Sequence, residues 1–254
     1  MAELLELAPA GFEQVDGDGF VEFALYGAPG ELPTLPTGPA DIAGVRVEVS
    51  GSEVGDDWAD RWREFHRPVA VGRLYVRPPW SEPPEDSIDI VIDPAQAFGT
   101  GAHPTTRLSL ELLLEAAPRS GAAAGPLVDL GCGSGVLAIA AAKLGFGPVT
   151  ALDHDPAAVE ATLDNARVNG VTLERVERHD LRTEPAPVAA VMTANLMRPL
   201  LLRVAELLPE QPETLIVSGL LEGEEEVVAA AFAPLRERHR RRLQGWSALL
   251  LTRP

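Results

Sequence analysis

The stretch DLGCGSG at 129–135 carries the clearest chemical signal in the chain. Gly131, Gly133 and Gly135 stand at alternate positions between a strand-like LVDLG and a helix-like SGVLAIAAAKLG. Glycines permit a tight turn and let a ligand approach the backbone closely. The helix that follows points its amide groups at such a ligand. A dinucleotide fingerprint spaces its glycines G-x-G-x-x-G, whereas here they run G-x-G-x-G with Asp129 two places before the first. A carboxylate there repels a pyrophosphate and suits a cationic tail. Asp153 closes the next strand, 22 positions after Gly131. A carboxylate at that point accepts from both hydroxyls of a ribose, which by itself does not discriminate among nucleoside ligands.

The glycine spacing resembles motif I of class I methyltransferases, whose cofactor, S-adenosylmethionine, joins a sulfonium to an amino acid tail. The segment FGTGAHPTT (98–106) reads as a loop that starts a helix. Gly99 and Gly101 give it the mobility of a lid, and Phe98 is placed to cover one end of the cofactor. Thr105 and Thr106 are expected either to donate to the cofactor's carboxylate or to cap the helix. His103 reads as a structural hydrogen-bonding group rather than a base. Asn195 follows the apolar strand 188–194, at the carboxyl edge of the sheet. Amine methyltransferases often carry Asn-Pro-Pro-aromatic there, but this chain has Asn-Leu-Met-Arg. The missing aromatic argues against a flipped nucleobase, while Asn195 or a neighbouring carbonyl can still accept from an amine and aim its lone pair. Cys132 has no base near it in sequence and reads as a small residue in a tight turn.

These residues need a scaffold, and from Leu127 onward the chain alternates strand and helix. Strands are expected at 127–131, 149–153, 173–178, 188–194 and 214–218, which specifies a parallel sheet flanked by helices. The helix 155–170 has Asp155 as cap, Pro156 in its first turn and Gly170 at its end. Further strands are expected at 69–76 and 88–92, with a helix over 105–117. The last stretch, LRERHRRRLQGWSALLLTR, reads as a hairpin turning at Gln244-Gly245, with the basic run 236–242 as an exposed charged strand. Upstream, strands at 19–26 and 44–49 surround a proline- and glycine-rich stretch. Trp58, Trp62 and Phe65 share one face of a short helix. The expected organisation is a small α+β domain over 1–55, a linker helix over 56–68 and a Rossmann-like α/β domain over 69–254.

The 254 residues are 46% hydrophobic and 23% charged, as expected of a soluble globular protein. The formal net charge of -17 disfavours a nucleic-acid substrate and favours a basic partner. A single cysteine rules out a disulfide within the chain and a cysteine zinc site. The five histidines are scattered, so no metal is expected. MAELLELAPAGFE lacks a basic start followed by an apolar run, and no apolar run is long enough to span a bilayer. A cytoplasmic monomer, with no membrane contact, is expected.

FGTGAHPTT (98–106), DLGCGSG (129–135), ALDHDPAAVEATLDNARVNG (151–170) and the AN pair Ala194-Asn195 occur in that order. Together they resemble the ribosomal protein L11 methyltransferases, the PrmA family, from about Val69 to the C-terminus. The resemblance implies a mainly parallel class I methyltransferase sheet with a C-terminal antiparallel hairpin. It also implies trimethylation of lysine side chains and the N-terminal α-amine of ribosomal protein L11. The family's cofactor positions fall on Thr106, Gly131, Asp153 and Asn195. By the same pattern Asp180-Leu181, after the third strand, meets the adenine edge. The N-terminal unit would recognise the substrate. A small-molecule or RNA methyltransferase on the same fold, or a non-catalytic S-adenosylmethionine-binding module, stand as alternatives. A nicotinamide-dependent dehydrogenase would need the other glycine spacing.

Overall fold

The computed structural model describes residues 13–17, 20–24, 37–42, 45–51, 66–94, 101–118 and 124–254. The chain divides into two compact units, residues 1–62 and 63–254. In the first, the described residues form two antiparallel hairpins. One pairs β1 (Glu13–Gly17) with β2 (Phe20–Ala24), the other β3 (Gly38–Ile42) with β4 (Val45–Val49). Most of the linker helix expected over 56–68 lies outside the described residues, and 66–68 are not helical.

The second unit is built on a seven-stranded sheet. Its strands are β8 (Leu127–Leu130), β9 (Val149–Asp153), β10 (Arg175–Arg178), β11 (Val191–Asn195), β12 (Thr214–Leu221), β13 (Arg236–Leu243) and β14 (Trp246–Thr252). They lie in the order β10-β9-β8-β11-β12-β14-β13. The first five are parallel, and β14 runs antiparallel to both its neighbours. Side chains alternate across a strand, and this chain uses both faces. Leu127, Ile216 and Leu250 enter one core, while Val128, Val217, Leu249 and Leu251 enter the other. All four residues of β8 are buried, as a central parallel strand covered on both faces requires.

Among the described residues, five helices cover the sheet: α1 (Pro104–Ala116), α2 (Val136–Lys143), α3 (Pro156–Val168), α4 (Arg198–Leu207) and α5 (Glu225–Ala231). The side chain of Asp155 caps α3 through Ala157 N (2.9 Å), with Pro156 in the first turn and Gly170 at φ +64° beyond the end. α2 is apolar on all sides, and six of its residues are buried.

The single strand expected over 69–76 is two strands. β5 (Val69–Val71) and β6 (Leu74–Arg77) form a hairpin around Gly72-Arg73, and β7 (Ile88–Val91) lies parallel to β6. Gly72 takes φ +55°, and a two-residue turn without an Asn-Gly or Asp-Gly pair is a weak signal in sequence.

The hairpin β13–β14 turns at Gln244 (φ 51°) and Gly245 (φ 80°), the positive pair of a tight reversal. Its basic strand is largely neutralised. Arg240 meets Glu226 and Glu237, Arg241 meets Glu115, and Arg242 meets Glu225.

Glu225 is fully buried and ties α5 to the hairpin. Its Oε1 accepts from Arg242 Nε (2.9 Å) and Nη2 (2.6 Å) and from Ser247 Oγ (2.9 Å). Its Oε2 accepts from Gly223 N (2.6 Å). Burial opposes the charge. The Glu225 backbone N–H, Arg242, Ser247 and Gly223 together outweigh it and hold the carboxyl at about 2, below its ordinary 4.5. The stabilisation is therefore complete above about pH 4.5 and is lost as pH falls towards 2. Glu225→Ala is expected to cost about 2–3 kcal/mol at pH 7, at the low end for a buried pair because Arg242 can turn to water. Thermal melts check this: the deficit should shrink between pH 5 and pH 2.5, and a deficit independent of pH would refute the assignment.

Candidate active site

The chemistry-bearing residues gather at the carboxyl ends of β8, β9 and β11, where ligands bind in open α/β sheets. The glycine loop leaves β8 and crosses at once to β9. Gly131 N and Cys132 N both donate to Leu152 O, at 2.8 and 2.9 Å. Gly131 (φ +72°) and Gly135 (φ +80°) hold conformations that an L side chain rarely adopts. A Cβ at Gly131 would stand 2.4 Å from Leu196 Cδ2, and one at Gly135 3.1 Å from the Thr162 Cα. Gly133 takes φ +54° in the same turn. The loop is therefore as close to its neighbours as backbone alone allows.

Asp153 ends β9 with its side chain turned to the loop. Its Oδ2 accepts from Gly133 N (2.9 Å) and its Oδ1 from Asp155 N (3.1 Å). The residue is 8% exposed, so the carboxylate is fixed without being sealed.

Asp129 lies beneath the loop, 1% exposed. Thr193 Oγ1, on β11, donates to its Oδ1 at 2.7 Å, while Oδ2 is buried and has no hydrogen-bond partner. Burial pushes this carboxyl up to about 7, and the Asp153 charge adds to it. Thr193 and the Ala138 backbone N–H act in the opposite sense. An orphaned buried carboxylate oxygen is costly, and an ammonium group is the partner that would relieve it.

Asn195 closes β11, half-buried, and its Nδ2 donates to Thr106 Oγ1 at 3.4 Å. Thr105 and Thr106 are buried in the first turn of α1. Ser218, the register partner of Asn195 on β12, donates to Thr105 O at 3.0 Å. The cap of α1 is His103, whose Nδ1 accepts from Thr105 N (3.3 Å) and lies 2.8 Å from Thr105 Oγ1. Its ring meets Trp246 edge-on with centroids 5.1 Å apart, and desolvation lowers its pKa. Gly101 (φ +91°) packs on Val76, where a Cβ would sit 2.7 Å from Cγ1. Phe98 and Gly99 lie outside the described residues.

Asp180 follows β10, whose Arg178 is the register partner of Asp153. Its carboxylate is held by Arg182 Nε (2.8 Å) and Nη2 (2.9 Å), which depress its pKa to about 2. Leu181 is buried in the second core. The Cys132 thiol is buried, and burial, followed by the Asp129 charge, pushes its pKa up, so it stays protonated. Among the described residues, no group of three His, Cys, Asp or Glu side chains is placed to hold a metal ion. No described helix is long and apolar enough to cross a membrane.

Thr193 and Ser218 were not foreseen from sequence. Thr193 had a readable signal: it is a hydroxyl inside the apolar strand VMTAN, two residues before Asn195 and so on the same face.

A doubly wound sheet with a glycine loop after its first parallel strand, a carboxylate closing the next and a terminal antiparallel hairpin defines a class I, Rossmann-like methyltransferase fold. The family model described as Ribosomal protein L11 methyltransferase (PrmA) matches residues 40–254, and the chain belongs to that family. A Ribosomal protein L11 methyltransferase of Edwardsiella ictaluri is 40% identical over 209 residues, covering 79% of this chain and 69% of that protein. One from Pelobacter propionicus is 41% identical over 208 residues, covering 78% and 67%. The crystal structure of a ribosomal protein L11 methylase from Lactobacillus delbrueckii subsp. bulgaricus superposes with a TM-score of 0.64 at 28% identity. It covers 74% of this chain and 98% of that one.

Proposed function

We propose that this chain transfers methyl groups from S-adenosylmethionine to amines of ribosomal protein L11, at lysine side chains and the N-terminal α-amine, as far as trimethylation. The observation that carries the reading is the gathering of the 131–135 loop, Asp153, and the Thr106–Asn195 pair at one sheet edge, in a chain of the PrmA family. The residues present fit the cofactor. The unpartnered Asp129 oxygen suits its ammonium and Asp153 its ribose hydroxyls. By this reading Thr105 and Thr106 donate to the carboxylate, Phe98, Gly99 and Gly101 belong to the segment that covers the cofactor, and Asp180-Leu181 meets the adenine edge.

When bound, the cofactor supplies an electrophilic methyl on a cationic sulfonium, so the protein's work is positioning and exclusion of water. The incoming amine must be neutral. A lysine with pKa near 10.4 costs about 4.6 kcal/mol to deprotonate at pH 7, whereas an α-amine near 7.8 costs about 1 kcal/mol. Desolvation beside a positive charge lowers an amine's pKa, so no dedicated base is needed, and Asn195 orients the lone pair. His103 is occupied in capping α1. The net charge of -17 favours encounter with a basic protein substrate. The enzyme is taken to act as a cytoplasmic monomer.

Mass spectrometry of purified ribosomal protein L11 after incubation with the enzyme and S-adenosylmethionine tests the reading. Successive gains of one methylene, mapped to lysines and the N-terminus, are the expected result. No gain with cofactor binding intact would overturn the substrate.

A further inference from the structure

One face of α3 is polar where a packed helix is ordinarily apolar. Thr162, Asn165 and Asn169 fall at i, i+3 and i+7, and the first two are 0% and 4% exposed. Asparagine is a poor residue for a helix interior because its side chain competes for backbone hydrogen bonds, so the buried Asn165 calls for partners, while Asn169 is the C-cap of the helix. Thr162 Oγ1 donates to Gly133 O at 3.0 Å. Asn165 Nδ2 donates to Ser134 O at 2.9 Å, and its Oδ1 accepts from Asp93 N at 3.2 Å. Asn169 accepts from Val91 N at 2.9 Å and donates to Val91 O at 2.6 Å. Since an amide N–H must face Oδ1 and a carbonyl must face Nδ2, the orientation of both side-chain amides is determined.

Two of these three residues serve one partner segment each. Thr162 holds the glycine loop and Asn169 holds the end of β7. Asn165 joins them: it spans from Ser134 in the loop to Asp93, two residues past the end of β7. We infer that Asn165 is a positioning residue that holds the glycine loop of the cofactor site against the end of β7. It does so through Ser134 and Asp93, without touching the cofactor. This rests on the cofactor reading above. Without the bridge, the two segments must be brought into register by the ligand, and the work of ordering them is subtracted from binding.

The test compares Asn165→Leu with Asn169→Leu by calorimetric titration of S-adenosylmethionine, thermal melting, and turnover on ribosomal protein L11. Each substitution removes side-chain bonds to buried backbone, so both should lower the melting temperature. Asn165→Leu alone should raise Kd and the cofactor KM, by about tenfold, with kcat at saturation within about threefold of wild type. A merely structural role predicts equal Kd shifts in the two variants. Asn165→Asp keeps the size and the Asp93 bond but sets a carboxylate oxygen against the Ser134 carbonyl. It should raise Kd likewise, and it replaces the leucine variant if that one fails to fold. Wild-type binding with Kd unchanged in the Asn165 variants, or raised equally in Asn169→Leu, would overturn the inference. A wild-type chain that does not bind the cofactor would overturn the functional reading and this inference with it.

Discussion

Asp153→Ala is expected to weaken S-adenosylmethionine binding by about 100- to 1000-fold. Hydrogen bonds to a charged acceptor contribute about 1.5–3 kcal/mol each, and a carboxylate at the end of β9 offers one oxygen to each ribose hydroxyl. A second loss compounds the first. Oδ2 of Asp153 is the acceptor that fixes Gly133 N, so truncation also releases the middle of the glycine loop. The fold itself should survive. Gly131 and Cys132 remain anchored on Leu152 O, and the truncated side chain stands at the last residue of β9. Asp153→Asn should fall between, about 10- to 30-fold weaker, because its amide keeps one acceptor for Gly133 N but turns a donor to the other side. Calorimetric titration at pH 8, with circular dichroism to confirm folding, decides the matter. Binding by Asp153→Ala within threefold of wild type would remove Asp153 from the cofactor site.

The parts of this site that are local in the chain are the parts that its sequence shows. The turn at 131–135 announces itself through three alternating glycines, and α3 through Asp155, Pro156 and Gly170, because capping and left-handed backbone depend on neighbours a few residues away. Asp153 is legible for the same reason, as an acid that interrupts the apolar strand VTALD. What sequence hides is partnership across the sheet. Thr193 meets Asp129 from 64 positions away and Asn165 meets Asp93 from 72, and no spacing rule links such pairs. β12 continues to Leu221, three residues past its expected end. Beyond an irregularity between Val217 and Leu220 it still pairs with β14, a strand that begins 25 residues later. The division of 69–76 into β5 and β6 fails to show for a different reason. Apolar residues at 69, 71, 74 and 76 read as one strand until the Gly72-Arg73 turn folds Val69 onto Val76.

Asp129 should make cofactor binding and stability respond to pH in opposite senses. In the unliganded chain burial first, then the charge of Asp153, lift its carboxyl to about 7. An ammonium brought to the unpartnered Oδ2 favours the ionised form, so binding below pH 7 must release a proton. The Kd for S-adenosylmethionine should therefore fall by up to about tenfold per pH unit between pH 5.5 and 7, and level off above. Stability runs the other way. The folded chain holds this proton up to about pH 7, while an unfolded aspartate releases it near 3.8, so unfolding becomes easier as pH rises through that window. The span of about three pH units corresponds to roughly 4 kcal/mol. In Asp129→Asn, Oδ1 can still accept from Thr193, but a buried NH2 replaces Oδ2 and costs about 1–2 kcal/mol without an acceptor. The relief of the buried charge is the larger effect. The unliganded variant should therefore be more stable than wild type at pH 8, by about 2 kcal/mol, and should lose that advantage by pH 4. Its cofactor affinity at pH 8 should drop about 10- to 100-fold and no longer vary between pH 5.5 and 7. Thermal melts and titrations across this range measure both. A variant less stable than wild type at pH 8, or a wild-type Kd flat across pH 5.5 to 7, would mean that Asp129 does not hold the cofactor's cation. A positive result would identify a carboxylate kept buried at a cost to the fold because the ligand needs it charged.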